Sequence, residues 1–248
     1  MFVTRYNNSQ QVEVYDAVTL TLQRRLAVPG LGSRPSGLAA CPINNCLYAS
    51  DWINDLVHRV ELSGSNAVEK WSVASGPVGL SVNNEHNLIV ACCASELQEY
   101  TTRGSLVREI CLLQAGVTLP YHAIQLSTGD YVVSQWKLQG EVSVFGTWSD
   151  GEVVRSYGQS QTSDVGQMKN PKSLAVTKND DILVADEDNN RILLINSSLV
   201  SIQELLALSV DGGIQCPRSL CLDESRGRLY IGEWSGEHRV LVFVGVYV

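Results

Sequence analysis

Five prolines, at positions 35, 77, 120, 171 and 217, stand 42, 43, 51 and 46 residues apart, and each opens a similar phrase. The phrases read Pro35-Ser-Gly-Leu-Ala, Pro77-Val-Gly-Leu-Ser, Pro120-Tyr-His-Ala-Ile, Pro171-Lys-Ser-Leu-Ala and Pro217-Arg-Ser-Leu-Cys. A second phrase follows about a dozen residues later, at 47–52, 88–93, 131–136, 182–187 and 229–234. A third follows at 58–62, 97–101, 142–146, 191–195 and 239–243, and a weaker fourth precedes the next proline, as in 68–73 and 106–112. Residues 1–33 hold most of a sixth unit, with 2–6, 12–15 and 22–28 matching the second, third and fourth phrases.

Each phrase is short and rich in β-branched and aromatic residues, and Asn, Asp, Gly and Ser turns separate them. No stretch keeps a 3.6-residue apolar period, so helices are expected to be nearly absent. A four-stranded unit of this length cannot bury both faces alone, whereas radial packing solves the problem and leaves short edges. The reading is all-β: a six-bladed β-propeller of four-stranded antiparallel blades around a central channel. Its blades fall at about 1–33, 34–75, 76–118, 119–168, 169–215 and 216–248, all within one domain. The circle is a strand short: the first repeat starts at its second strand and the last lacks an obvious fourth. Two readings stand, a lost upstream segment, which is favoured, and closure by Val244 to Val248.

Apolar residues make up 44% of the 248 and charged residues 18%, which suits a packed core rather than disorder. The net charge of −8 works against a polyanionic partner. The N-terminus has no basic region followed by a long apolar run, and apolar runs are too short to span a bilayer. A cytoplasmic monomer with no membrane contact is therefore expected. Seven cysteines form no CxxC pair. Cys92 and Cys93 read as buried thiols, and Cys41 and Cys46 flank a hairpin turn where a disulfide is possible.

The fifth repeat ends in Asp186, Asn189, Asn190, Arg191 and Ile192. This resembles an NHL repeat, whose signature ends in Asp, Asn, Arg and an aliphatic. Asp51 with Asn54 and Arg59 is a weaker copy, and Glu233 with Arg239 weaker still; Cys92 and Gln135 hold the acidic position in the other two. The chain is similar to the C-terminal domain of tripartite-motif proteins, without their RING, B-box or coiled coil. The resemblance implies an NHL-type propeller that recruits a partner, as in a ubiquitin-ligase-like protein.

In an antiparallel blade the start of strand one lies beside the end of strand two, so both points share one rim. The last position of the second phrase gives Tyr6, Trp52, Cys93, Trp136, Glu187 and Trp234, four of them aromatic. One reading is a ligand-contacting collar; the other is aromatic wedges between blades. After the prolines come Tyr121, His122, Lys172 and Arg218 on consecutive blades, a mixed aromatic and basic sector. No catalytic residue and no cofactor is expected. Were a metal present, Asp51, Asp186, Glu187 and Glu233 would supply its oxygens, although each acid has its own blade's arginine as a competing partner. The first functional expectation is a non-enzymatic scaffold recognising a protein or peptide at the rim. A metal-dependent propeller hydrolase or lyase is second. RNA binding through Tyr121, Lys172 and Arg218 is third, disfavoured by the acidic charge.

Overall fold

The structure is a computed structural model. It describes residues 1–5, 10–136, 144–147, 153–157, 167–198, 201–206, 213–235 and 239–246, with the backbone alone for 144–147, 153–157 and 206. The described chain is all-β, with two one-turn 3₁₀ helices, Glu187–Asn189 and Glu224–Arg226. No described helix is long and apolar enough to cross a membrane.

The strands form six antiparallel sheets, each built in chain order. The first holds β1 (Phe2–Val3), β2 (Gln11–Tyr15) and β3 (Leu22–Ala27). The second holds β4 (Pro35–Cys41), β5 (Cys46–Asp51), β6 (Leu56–Glu61) and β7 (Val68–Ser72). The third holds β8 (Pro77–Val82), β9 (Leu88–Cys92), β10 (Glu96–Tyr100) and β11 (Leu106–Cys111). The fourth holds β12 (Pro120–Gln125), β13 (Tyr131–Gln135), β14 (Val144–Thr147) and β15 (Val153–Tyr157). The fifth holds β16 (Pro171–Val176), β17 (Ile182–Asp186), β18 (Arg191–Ile195) and β19 (Ile202–Leu206). The last holds β20 (Pro217–Asp223), β21 (Arg228–Glu233) and β22 (Val240–Val244).

This is an all-β propeller arrangement of small sheets, and one expectation is corrected. Six blades of four strands each are not present: the first and last sheets have three strands apiece. Among the described residues, no strand precedes Phe2 and none follows Val244.

The chain divides into two compact units, Met1–Cys111 and Leu112–Val248. In the first unit, Val12 and Leu26 of the first sheet pack with Leu47, Ala49 and Val60 of the second. Tyr48 and Val57 of the second pack with Leu80, Leu88 and Val90 of the third. In the second unit, Ile124 and Val132 pack with Leu174, Val184 and Leu193, while Leu183, Ala185 and Ile192 pack with Leu229 and Ile231. β5, β9, β13 and β17 are buried along their whole length, which is why their sequences read as continuous apolar runs rather than alternating ones. Each such Val or Leu contributes about 1.5–3 kcal/mol by leaving water.

Cys41 and Cys46 are buried cross-strand partners with free thiols, and the thiols of buried Cys92 and half-buried Cys93 are also free. Burial pushes the Cys92 thiol up to about 12.

Candidate functional site

Each of the five repeat prolines lies opposite the last residue of the following strand: Pro35 opposite Asp51, Pro77 opposite Cys92, Pro120 opposite Gln135, Pro171 opposite Asp186 and Pro217 opposite Glu233. The shared rim expected from the repeat is therefore present within each of these five sheets. Immediately after each proline the pairing register slips, a bulge that gives the next side chain a direction of its own. Tyr121, Lys172 and Arg218 are the residues at that slip in the three sheets of the second unit.

The acidic position closes the same corner. Asp186 accepts from the Lys169 N–H at 2.6 Å, from the Asn189 amide at 2.8 Å and from Arg191 Nε at 2.8 Å. Glu233 accepts from the Gln215 N–H at 2.7 Å and from Arg239 Nε at 3.0 Å. Asp51 accepts from the Gly32 N–H at 2.8 Å and the Asn54 amide at 2.8 Å. Even the amide oxygen of Gln135 takes the Thr118 N–H, at 3.4 Å. Each holds the segment that leads into its sheet's proline, which has no N–H of its own to anchor it.

The arginine pairing expected for the acids is found at Asp186–Arg191 and Glu233–Arg239, but not at Asp51. Arg59 pairs with Glu69 instead, and the imidazole of His58 lies 3.7 Å from Asp51. His58 is fully buried, and burial lowers its pKa. Among the described residues no three His, Cys, Asp or Glu side chains form a group able to hold a metal ion.

The second unit brings six of the expected rim residues to one place. The Lys172 ammonium lies 4.5 Å from the Tyr121 ring centre and 5.2 Å from that of Trp136. The Arg218 guanidinium lies 4.3 Å from the Trp234 ring and 5.8 Å from the Tyr121 ring, and its Nε donates to the Tyr121 hydroxyl at 2.9 Å. Glu187 serves both cations, at 3.5 Å from Lys172 and 3.9 Å from Arg218. The order across the site is Trp136, Lys172, Tyr121, Arg218, Trp234, with aromatic faces alternating with cations and one carboxylate against both.

Lys172 and Glu187 are only 5% and 6% exposed, so their charges sit in a poorly solvated place. Burial lowers the Lys172 pKa, opposed by Glu187, and raises the Glu187 and Tyr121 pKa values. The loss of water thus outweighs the attraction of the pair, and cation–π contact supplies part of the compensation. Trp136 stays 44% exposed and offers an open indole.

His122 is half-buried, and its Nδ1 accepts from the Leu174 N–H at 3.2 Å, which makes it a tie between sheets. Trp52 belongs to the first unit, where its indole packs on Gly76 and Cys93; it is 45% exposed. Tyr6 lies outside the described residues.

Two contributors escaped the sequence reading. Asn170 donates to Glu187 at 2.8 Å and fixes its carboxylate. Ser134 donates to the Lys172 carbonyl at 2.5 Å, as Ser50 does to that of Val78 at 2.9 Å. Placing the second phrases under one another would have shown Ser50 and Ser134 in the same column.

Residues 168–193 match the NHL repeat family. No curated protein sequence matches the chain. Among solved structures, a protein of unknown function from Bacteroides caccae is 17% identical, with a TM-score of 0.72 over 99% of this chain and 89% of that one. A chain of a nidogen/laminin complex is 14% identical, with a TM-score of 0.74 over 95% and 86%. Virginiamycin B lyase from Staphylococcus aureus is 10% identical, with a TM-score of 0.65 over 98% and 80%. At these identities the likeness shows the propeller fold alone. None of the structures named here is a tripartite-motif protein, so that similarity rests on the sequence phrase.

Proposed function

We propose that this chain is a non-enzymatic recognition propeller that takes a protein segment on the rim of its second unit. Trp136 and Trp234 grip the segment, and Tyr121, Lys172 and Arg218 set its register. The observation that carries the reading is the alternating aromatic and cationic row ending in a Trp136 indole that is 44% exposed. A buried ion pair is an inefficient way to stabilise a fold, so its presence under an open tryptophan favours recognition over packing. Tryptophan and arginine are also the residues that dominate binding hot spots. His122 and Glu187 hold the row rather than touch the segment. The recruiting end of a ubiquitin-ligase-like protein is the wider setting that the NHL-type phrase suggests.

The test is selection of peptides from a displayed random library on the wild-type chain, followed by affinity measurement on the W136A/W234A variant. Loss of about tenfold or more per anchor is expected, as for hot-spot tryptophans. Unchanged affinity would remove the rim. The metal-dependent enzyme is tested separately, by elemental analysis of dialysed protein: stoichiometric calcium or zinc would favour it.

A further inference from the structure

The first unit carries a second, chemically different recess. A cleft of about 610 Å³ opens between the outer strands of its first two sheets, lined by Arg24, Arg25, Ser65, Asn66 and Lys70, with no carboxylate in its wall. Strand alternation places Arg24 on the face of Leu26, which packs against Leu47 and Val60 of the second sheet. Lys70 shares the face of Val68, which belongs to the same core, and its ammonium reaches to within 3.6 Å of where a side chain on Gly30 would begin. Both cations therefore point into the wedge from opposite walls.

Their charges are not spent inside the molecule. Arg25 pairs with Glu13 at 3.4 Å, but no carboxylate pairs with Arg24 or Lys70 among the described residues. Asn66 adds a buried side-chain oxygen without a hydrogen-bond partner. In a chain of net charge −8, an acid-free recess with two uncommitted cations is a local reversal of the field, and a concave wall focuses it.

We propose that this cleft binds a phosphomonoester. A phosphate offers anionic oxygens to the planar Arg24 fork and the Lys70 point charge, and Ser65 is placed to donate to a third oxygen. No aromatic side chain lines the cleft, so bases of a single-stranded nucleic acid would have no surface to stack on.

This site is in the other unit from the rim and stands or falls independently of it. The experiment titrates the full chain with glucose 6-phosphate and with O-phosphoserine, using glucose and serine as controls, followed by backbone amide NMR. Saturable shifts on Leu22–Ala27 and Val68–Ser72 with either phosphorylated probe, absent with both controls, are expected. Whichever phosphorylated probe binds more tightly names the source as sugar phosphate or phosphoamino acid. R24A and K70A, both surface changes, are each expected to weaken binding about ten- to a hundredfold, as for loss of one charge-assisted hydrogen bond. R226A, an exposed cation of the other unit that pairs with Asp223, is expected to change nothing. No saturable shift at either strand, or binding by R24A and K70A as tight as that of the wild-type chain, would overturn the proposal.

Discussion

Replacing Glu187 with glutamine keeps the shape of the rim and removes the carboxylate that Lys172 and Arg218 share. Lys172 is 5% exposed, so its ammonium would be left against the Tyr121 and Trp136 rings, with Asp188 the remaining carboxylate that acts on it. Removing one partner of a buried pair costs about 3–5 kcal/mol. The lysine has an escape, which is to shed its proton. From an ordinary pKa of about 10.4, neutralising it costs about 4.6 kcal/mol at pH 7 and about 2 kcal/mol at pH 9. The penalty is also reduced because burial already disfavours the charged form of Glu187. The expected loss is about 2–4 kcal/mol at pH 7, falling below about 2 kcal/mol at pH 9.

The sign follows from linkage. Burial depresses the folded pKa of Lys172, so between the folded and unfolded values the unfolded chain holds the extra proton, and stability rises with pH. Urea unfolding followed by circular dichroism at the two pH values reads both numbers. The K172M/E187Q double variant is expected within about 1 kcal/mol of wild type, since exchanging a whole buried pair for neutral groups is often harmless. An E187Q protein within about 0.5 kcal/mol of wild type at both pH values, the range of an ordinary surface change, would refute the reasoning.

Other expectations follow from the corner geometry and the burial pattern. D186N loses the charge that holds the Lys169 N–H and Arg191, and should cost about 2–4 kcal/mol in urea unfolding. G76A places a side chain at φ +44°, with its Cβ 2.9 Å from the Trp52 indole nitrogen; a loss of about 1–2 kcal/mol is expected in thermal unfolding, and none would contradict the packing. A thiol reagent at pH 8 should modify exposed Cys111 and spare Cys92, whose buried thiol is pushed up to about 12, as peptide mass mapping would show.

Much of this was legible in the sequence because the repeat is carried by backbone demands. The five prolines mark five first strands, and the apolar phrases mark the buried second strands, to within a residue or two at each end. The closeness of Tyr121, Lys172 and Arg218 followed from one rule of antiparallel pairing applied three times. What the sequence did not show is where each side chain turns at the bulge after its proline, since a register slip leaves no residue signature. Nor did it show that Glu187 serves two cations while Asp186, one position earlier, is consumed by its own sheet. Asp51 keeps an asparagine three positions on, as Asp186 does, but Leu56 holds the place opposite it that Arg191 holds opposite Asp186, and Arg59 lies opposite Tyr48 and pairs with Glu69. Such exchanges of partner depend on cross-strand neighbours that no single phrase contains.

The most direct measurement follows the tryptophan indole N–H signals by NMR while a library-selected peptide is titrated into the wild-type chain. Signals from Trp136 and Trp234 should shift together and saturate at one peptide affinity, while that of Trp71, packed between Tyr48 and Tyr100, stays in place. Saturable binding that leaves the Trp136 and Trp234 signals unmoved would contradict the assignment of recognition to this rim.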